Sequence, residues 1–157
     1  MNSLDSIKII LVNPNSSGNI GAVCRAMKTM GIKKLAVTGG TEYDEKEIRY
    51  RSVHAFEIYE NAERPSSLKE ALAGTVYSAG TTRRKGAKRK YHSILPEDLA
   101  ERISRYTEGI SAVVFGNEEH GLTSQELALC SEAVNIPSSP EFPSLNLSHS
   151  VQVITYT

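Results

Sequence analysis

Four short stretches of this 157-residue chain hold most of the side chains that could do chemistry. Asn13-Pro14-Asn15-Ser16-Ser17-Gly18-Asn19-Ile20-Gly21 combines amides and hydroxyls with two glycines, the composition of a phosphate cradle ahead of an electropositive helix start. It matches neither GxxxxGKS/T nor GxGxxG, so nucleotide binding of those two kinds has little support. Glu118 lies in Phe115-Gly116-Asn117-Glu118-Glu119-His120-Gly121-Leu122. The glycines suggest a tight turn presenting a carboxylate, and an ordinary surface loop would accept that carboxylate too. From Ile136 to Ser150, Pro137, Pro140 and Pro143 are set among serines and asparagines. Each proline removes an N–H and fixes φ, giving a stiff binding wall or a plain surface loop, and composition weights the two evenly. Arg83 to Lys90 places six cations in eight positions on a chain of formal net charge zero, a candidate contact for nucleic-acid phosphates.

Other chemistries find no pattern. His54, His92, His120 and His149 show no HxxxH or HxE spacing and no paired cysteines, so no metal site is expected. There is no GxSxG elbow. Cys24 and Cys130 stand alone in apolar helical contexts, as reduced core thiols in a reducing cytoplasm would. The N-terminus has an early acid and no small-residue cleavage site, so neither a signal peptide nor a membrane span is expected.

Strand-length apolar runs alternate with helical patterns along the chain. Strands are expected at Ile7–Val12, Leu35–Thr38, Ala55–Tyr59 (weaker), Thr75–Ala79, Ile110–Phe115 and Ala133–Ile136. Helices are expected at Asn19–Met30, Glu45–Ala55, Ser67–Ala73, Pro96–Arg105 and from Thr123 to near Cys130, the third and last opened by capping boxes. This alternation demands a three-layer α/β domain, a mostly parallel sheet with helices on both faces. Length makes residues 1–157 a single domain. Leu147, Val151 and Ile154 repeat at helical spacing with no stop signal before Thr157, so the helix is expected to continue in a longer natural protein. In an open parallel sheet ligands bind at the carboxyl ends of strands, and all four stretches follow strands. Arg25, off the apolar stripe of the first helix, reads from the residues alone as a solvated arginine.

Taken together, the stretches resemble the SPOUT superfamily of knotted RNA methyltransferases, within it the TrmH-like ribose 2′-O-methyltransferases, and most of all the TrmJ type acting on the tRNA anticodon loop. The family's first motif is similar to Gly18–Arg25, its second to Phe115–Leu122, and its third to Ile136-Pro137 with Pro143–Ser148; Gly80–Lys85 is similar to its GTSAR turn. The resemblance implies a deep C-terminal trefoil knot that holds S-adenosylmethionine, and a homodimer in which each active site is completed by the neighbour. It implies cofactor contacts at Thr81, Thr82, Arg83, Gly116, Ile136, Ser144 and Leu145, and a catalytic group of Arg25, Asn19, Glu118, Ser144 and Asn146. The basic residues Arg84, Lys85, Lys88, Arg89 and Lys90 would contact RNA, with tRNA the expected partner. The family's proposed base is Arg25, an awkward one because a guanidinium holds its proton throughout the working pH range. The expectation here is that Arg25 grips a backbone phosphate and polarises the hydroxyl, with Glu118 holding Arg25.

Overall fold

The computed structural model describes residues 3–83 and 92–157. Six parallel strands form one sheet in the order β2-β1-β5-β3-β6-β4. They are β1 (Ile7–Val12), β2 (Lys34–Thr38), β3 (Thr75–Thr81), β4 (Ser93–Ile94), β5 (Ile110–Phe115) and β6 (Glu132–Val134). The helices are α1 (Ser17–Thr29), α2 (Glu45–Ser52), α3 (Phe56–Glu60), α4 (Leu68–Ala71), α5 (Pro96–Ser104), α6 (Ser124–Ala128) and α7 (Leu147–Tyr156). Because side chains alternate along a strand, β1 sends Ile9 and Leu11 into a core with Ile20, Met27, Leu99 and Val151, while Ile10 and Val12 join Leu68, Leu122 and Leu127 on the other face. That two-sided burial is the three-layer arrangement expected. It also explains why β5, apolar at nearly every position, is buried from Ser111 to Phe115.

Local chemistry sets the helix starts. Ser16 caps α1, its side chain accepting from the Asn19 N–H, so the helix begins two residues before the expected start. Gly21 lets α2 pack against α1, since a Cβ there would lie 2.6 Å from the Ile48 carbonyl oxygen. Thr123 and Glu126 form the full capping box of α6. Before α4 the box is half formed: Ser67 accepts from the Glu70 N–H, but the Glu70 carboxylate turns to the N–H and hydroxyl of Ser66.

The expected strand at Ala55–Tyr59 is instead the helix α3. Apolar residues at 56 and 58 fit either period over so short a run. Helical spacing brings the Phe56 and Tyr59 rings to 5.8 Å and buries Ile58. The position beside β2 goes to Glu63, whose backbone exchanges hydrogen bonds of 3.0 and 2.9 Å with Val37 and Leu35. The short edge strand β4 was not expected, and β3 runs two residues past Ala79.

Candidate active site

The strands β1, β5, β3 and β6 are neighbours in the sheet, so the loops leaving their carboxyl ends converge. They enclose a cleft of about 370 Å³. Of the residues expected to bind the cofactor, Thr81, Thr82 and Arg83 enter from β3, Gly116 from β5, and Ile136, Ser144 and Leu145 from the loop after β6. Asn19, Glu118, Ser144 and Asn146 also line it. The expected RNA-binding residues Arg84, Lys85, Lys88, Arg89 and Lys90 lie outside the described residues.

Glu118 is the central joint. Its carboxylate accepts from the backbone N–H of Asn15 at 2.9 and 3.0 Å, of Ser16 at 2.9 Å, and from Asn19 Nδ2 at 3.2 Å. These donors surround the start of α1, where unpaired N–H groups and the helix dipole favour an anion. Asn19 Oδ1 in turn accepts from Asn146 Nδ2 at 3.4 Å, and Asn146 caps α7 by accepting from the Ser148 N–H. One chain of polar contacts therefore ties the β1–α1 turn, the turn after β5 and the start of α7.

Asn117 doubles this joint. Its Nδ2 donates to the Asn13 carbonyl at 2.8 Å and to Asn15 Oδ1 at 3.0 Å, while its Oδ1 accepts from the Glu119 N–H at 2.8 Å. Asn13 has φ of 48°, a left-handed conformation that asparagine tolerates better than most residues. Neither Asn13, Asn15 nor Asn117 was singled out from sequence for this role, although Asn117 sits in the glycine-bracketed turn that drew attention to Glu118. Nearby, Tyr43 donates to the Pro14 carbonyl at 2.7 Å, and burial raises its phenol above the usual tyrosine range, with a smaller push from Glu118.

The expected contact between Glu118 and Arg25 is not made. The carboxylate is occupied at the start of α1, which offers backbone donors that cannot move away, and Arg25 lies a little over two turns further along the helix. The Arg25 side chain is exposed and is not part of the cleft lining. At β3, Thr81 Oγ1 donates to the Val114 carbonyl at 3.0 Å and the Thr82 N–H to the Val134 carbonyl at 2.9 Å. Those two groups tie strand ends together.

Of the two glycines lining the cleft, Gly116 is a close-approach position, whereas Gly121 has open space around it and a φ of 65°. A Cβ on Gly116 would sit 2.1 Å from the Gly121 carbonyl carbon and 2.3 Å from the Leu122 nitrogen, so the turn after β5 closes only on a residue without one. The mixture that remains, with Leu122, Ile136 and Leu145 beside hydroxyls and amides, suits a ligand with an apolar ring and polar edges.

Comparison with known proteins gives this site a context. The model of the SpoU rRNA Methylase family matches residues 6–156. A tRNA (cytidine-2′-O-)-methyltransferase TrmJ of Methanocaldococcus jannaschii is 37% identical over 152 residues, covering 96% of this chain and 66% of that protein. The tRNA (cytidine/uridine/adenosine-2′-O-)-methyltransferase TrmJ of Pseudomonas aeruginosa is 39% identical over 155 residues, covering 98% of this chain and 60% of that protein. Among solved structures, a probable methylase family protein from Haemophilus influenzae superposes with a TM-score of 0.91 at 37% identity, over 98% of this chain and 64% of that one. The chain thus spans a little under two thirds of these relatives.

Proposed function

The chain belongs to the SpoU methylase family, and from that premise we propose that it methylates the 2′-hydroxyl of a ribose in RNA, with the tRNA anticodon loop as target and S-adenosylmethionine as donor. One observation carries the reading: the loops after β1, β3, β5 and β6 meet in a single cleft that contains every residue expected to bind the cofactor. The names of the TrmJ relatives support tRNA as the substrate.

The cleft fits the cofactor. Its volume lies within the range of small-molecule sites, and its lining pairs apolar faces at Ile136 and Leu145 with polar edges at Thr82, Ser144 and Asn146. When bound, S-adenosylmethionine supplies an electrophilic methyl group on a sulfonium. In this reading Thr81, Thr82, Arg83, Gly116, Ile136, Ser144 and Leu145 hold it. Asn19, Ser144 and Asn146 orient the ribose, with Asn19 fixed by Glu118 on one side and Asn146 on the other. Glu118 is thus a positioning residue whose carboxylate is committed to α1. Proximity and alignment supply much of the rate in such a transfer.

Arg25 grips an RNA phosphate and polarises the hydroxyl, and that phosphate takes up the hydroxyl's proton late in the transfer. Because it lies outside its own chain's cleft, the reading places it at the cleft of a second copy in a homodimer. Exposed Val153 and Tyr156 on α7 support a dimer face there. The C-terminal segment would be the trefoil knot, a reading supported by the bonds that pin Asn135 to Thr82 and Ile94 and Asn146 to Asn19. Residues 1–157 would then be one methyltransferase domain working in the cytoplasm, with Arg84, Lys85, Lys88, Arg89 and Lys90 on RNA.

Incubation with methyl-labelled S-adenosylmethionine and bulk tRNA, followed by nucleoside mapping, tests the proposal. Label on an anticodon-loop ribose is expected; bound cofactor with no transfer to any RNA overturns it. The family's description as rRNA methylases supports ribosomal RNA as a second target, and a parallel reaction decides between the two. Arg25→Ala is expected to abolish transfer while leaving cofactor affinity within about twofold, since the residue makes no part of the cleft.

A further inference from the structure

At the rim of the cleft, residues 138–143 form a small turn that satisfies its own backbone. The Phe142 N–H donates to the Ser139 carbonyl at 3.2 Å, closing a β-turn with Pro140 at its second position. The Glu141 N–H donates to Ser139 Oγ at 3.2 Å, and Ser138 Oγ donates to the Pro143 carbonyl at 3.4 Å. Pro140 and Pro143 carry no N–H. From 140 to 143 the turn therefore presents no free backbone donor. A phosphate or an adenine edge that needs backbone donors finds none between 140 and 143, and the Glu141 carboxylate repels a phosphate further. What the turn does present is the Phe142 ring, 76% exposed. The chain passes from it through Pro143 straight into Ser144, Leu145 and Asn146 of the cleft lining.

We propose that Phe142 is a stacking platform for a nucleobase of the RNA substrate, next to the nucleotide whose ribose enters the cleft. The proposal rests on the RNA-methyltransferase reading above and adds to it a specificity-determining contact. An aromatic face recognises any base by stacking without a hydrogen-bond donor, and the backbone that carries it loses little freedom on binding because the two prolines and three turn bonds have already ordered it. An unpaired loop supplies bases able to splay onto such a face, and a duplex does not.

The test measures tRNA binding and methyl transfer side by side for wild type and for Phe142→Ala, Phe142→Tyr and Phe142→Leu, with cofactor affinity and sedimentation behaviour as controls. Phe142→Ala is expected to weaken tRNA binding about tenfold or more, to raise KM for tRNA in parallel, and to leave kcat at saturating tRNA and cofactor affinity within about twofold. Phe142→Tyr should restore binding and Phe142→Leu should not, because leucine keeps apolar bulk without a π face. Unchanged tRNA binding in Phe142→Ala overturns the proposal, as does equal rescue by leucine, loss of cofactor affinity or loss of self-association. Wild-type protein that transfers no methyl to tRNA or ribosomal RNA sinks the enzymatic reading itself, whereas wild-type transfer with an indifferent Phe142→Ala sinks only the stacking contact.

Discussion

Two cavities of nearly equal size sit at opposite ends of the sheet, about 370 Å³ at the carboxyl ends and about 390 Å³ at the amino ends. The first is walled by turns whose amides, hydroxyls and one carboxylate hold each other in place. The second lies between the start of β1, α5 and the end of α7, and is lined by aliphatic residues such as Ile7, Leu99 and Ile154 together with serine and threonine hydroxyls, among them Ser104 and Thr155. Volume therefore does not tell the two apart; the long-range bonded network of Glu118, Asn19 and Asn146 belongs to the first. Under the proposed function the carboxyl-end cleft is the reaction site and the amino-end cavity a feature of packing.

Substitutions at each end should separate these roles. Leu99→Ala, at a side chain only 2% exposed, should cost about 2–5 kcal/mol of stability. Its cofactor affinity, measured calorimetrically well below the lowered Tm, should match wild type. Lost affinity in the folded variant would erase the distinction between the two ends. Gly116→Ala should do the reverse: overpacking against backbone atoms costs about 1–3 kcal/mol, and because the turn must shift, cofactor affinity should fall by at least about tenfold. An intact binding isotherm would show that this turn is not a wall of the cofactor site.

A smaller effect is expected from Glu118→Gln. The amide keeps the shape but turns an NH₂ group toward backbone donors, so about 1–2 kcal/mol of stability should go with the charge-assisted bonds. Methyl transfer should drop more than cofactor affinity, because Asn19 loses its anchor. Equal loss of both would assign Glu118 to binding. The smallest effect concerns Cys24 in the apolar layer, whose thiol burial pushes up to about 12. Below about pH 8.5 the thiol is neutral in both folded and unfolded chains; above it only the unfolded chain releases the proton, so stability declines as pH rises toward 12. Urea midpoints from pH 8 to 10 should fall more steeply for wild type than for Cys24→Ala, and native protein should resist alkylation throughout.

The two ends also differ in how much the sequence disclosed. Where burial dictates residue type, pattern sufficed: β1 and β5 have the expected bounds because nearly every residue in them is apolar, and the spacing of Leu147, Val151 and Ile154 marked the buried side of α7. The segment at Phe56–Glu60 misled because five residues do not distinguish the two periods, and Ser93–Ile94 is too short to show one. For the candidate site, the four loops stood out by composition, yet what each side chain touches did not. The pairing of Glu118 with Arg25 came with the family resemblance, not from anything the residues themselves fix. The carboxylate's actual partners are mostly backbone N–H groups, which every residue but proline possesses and which no residue type can announce. The self-satisfied turn below Phe142 was hidden for the same reason, since its bonds depend on where Ser139 falls relative to Pro140.

The joint at Glu118 has a consequence for time as well as for shape. Its carboxylate reaches donors 103 residues earlier in the chain, and it can do so only once β5 has come to rest beside β1. Long-range parallel pairing is slow to form, because a large loop must close before any contact rewards the closure. A refolding chain should therefore gain helix and collapse well before it can order the start of α1 around Glu118. The cleft should thus be among the last parts of the molecule to form, so recovery of ligand affinity is expected to track completion of the sheet.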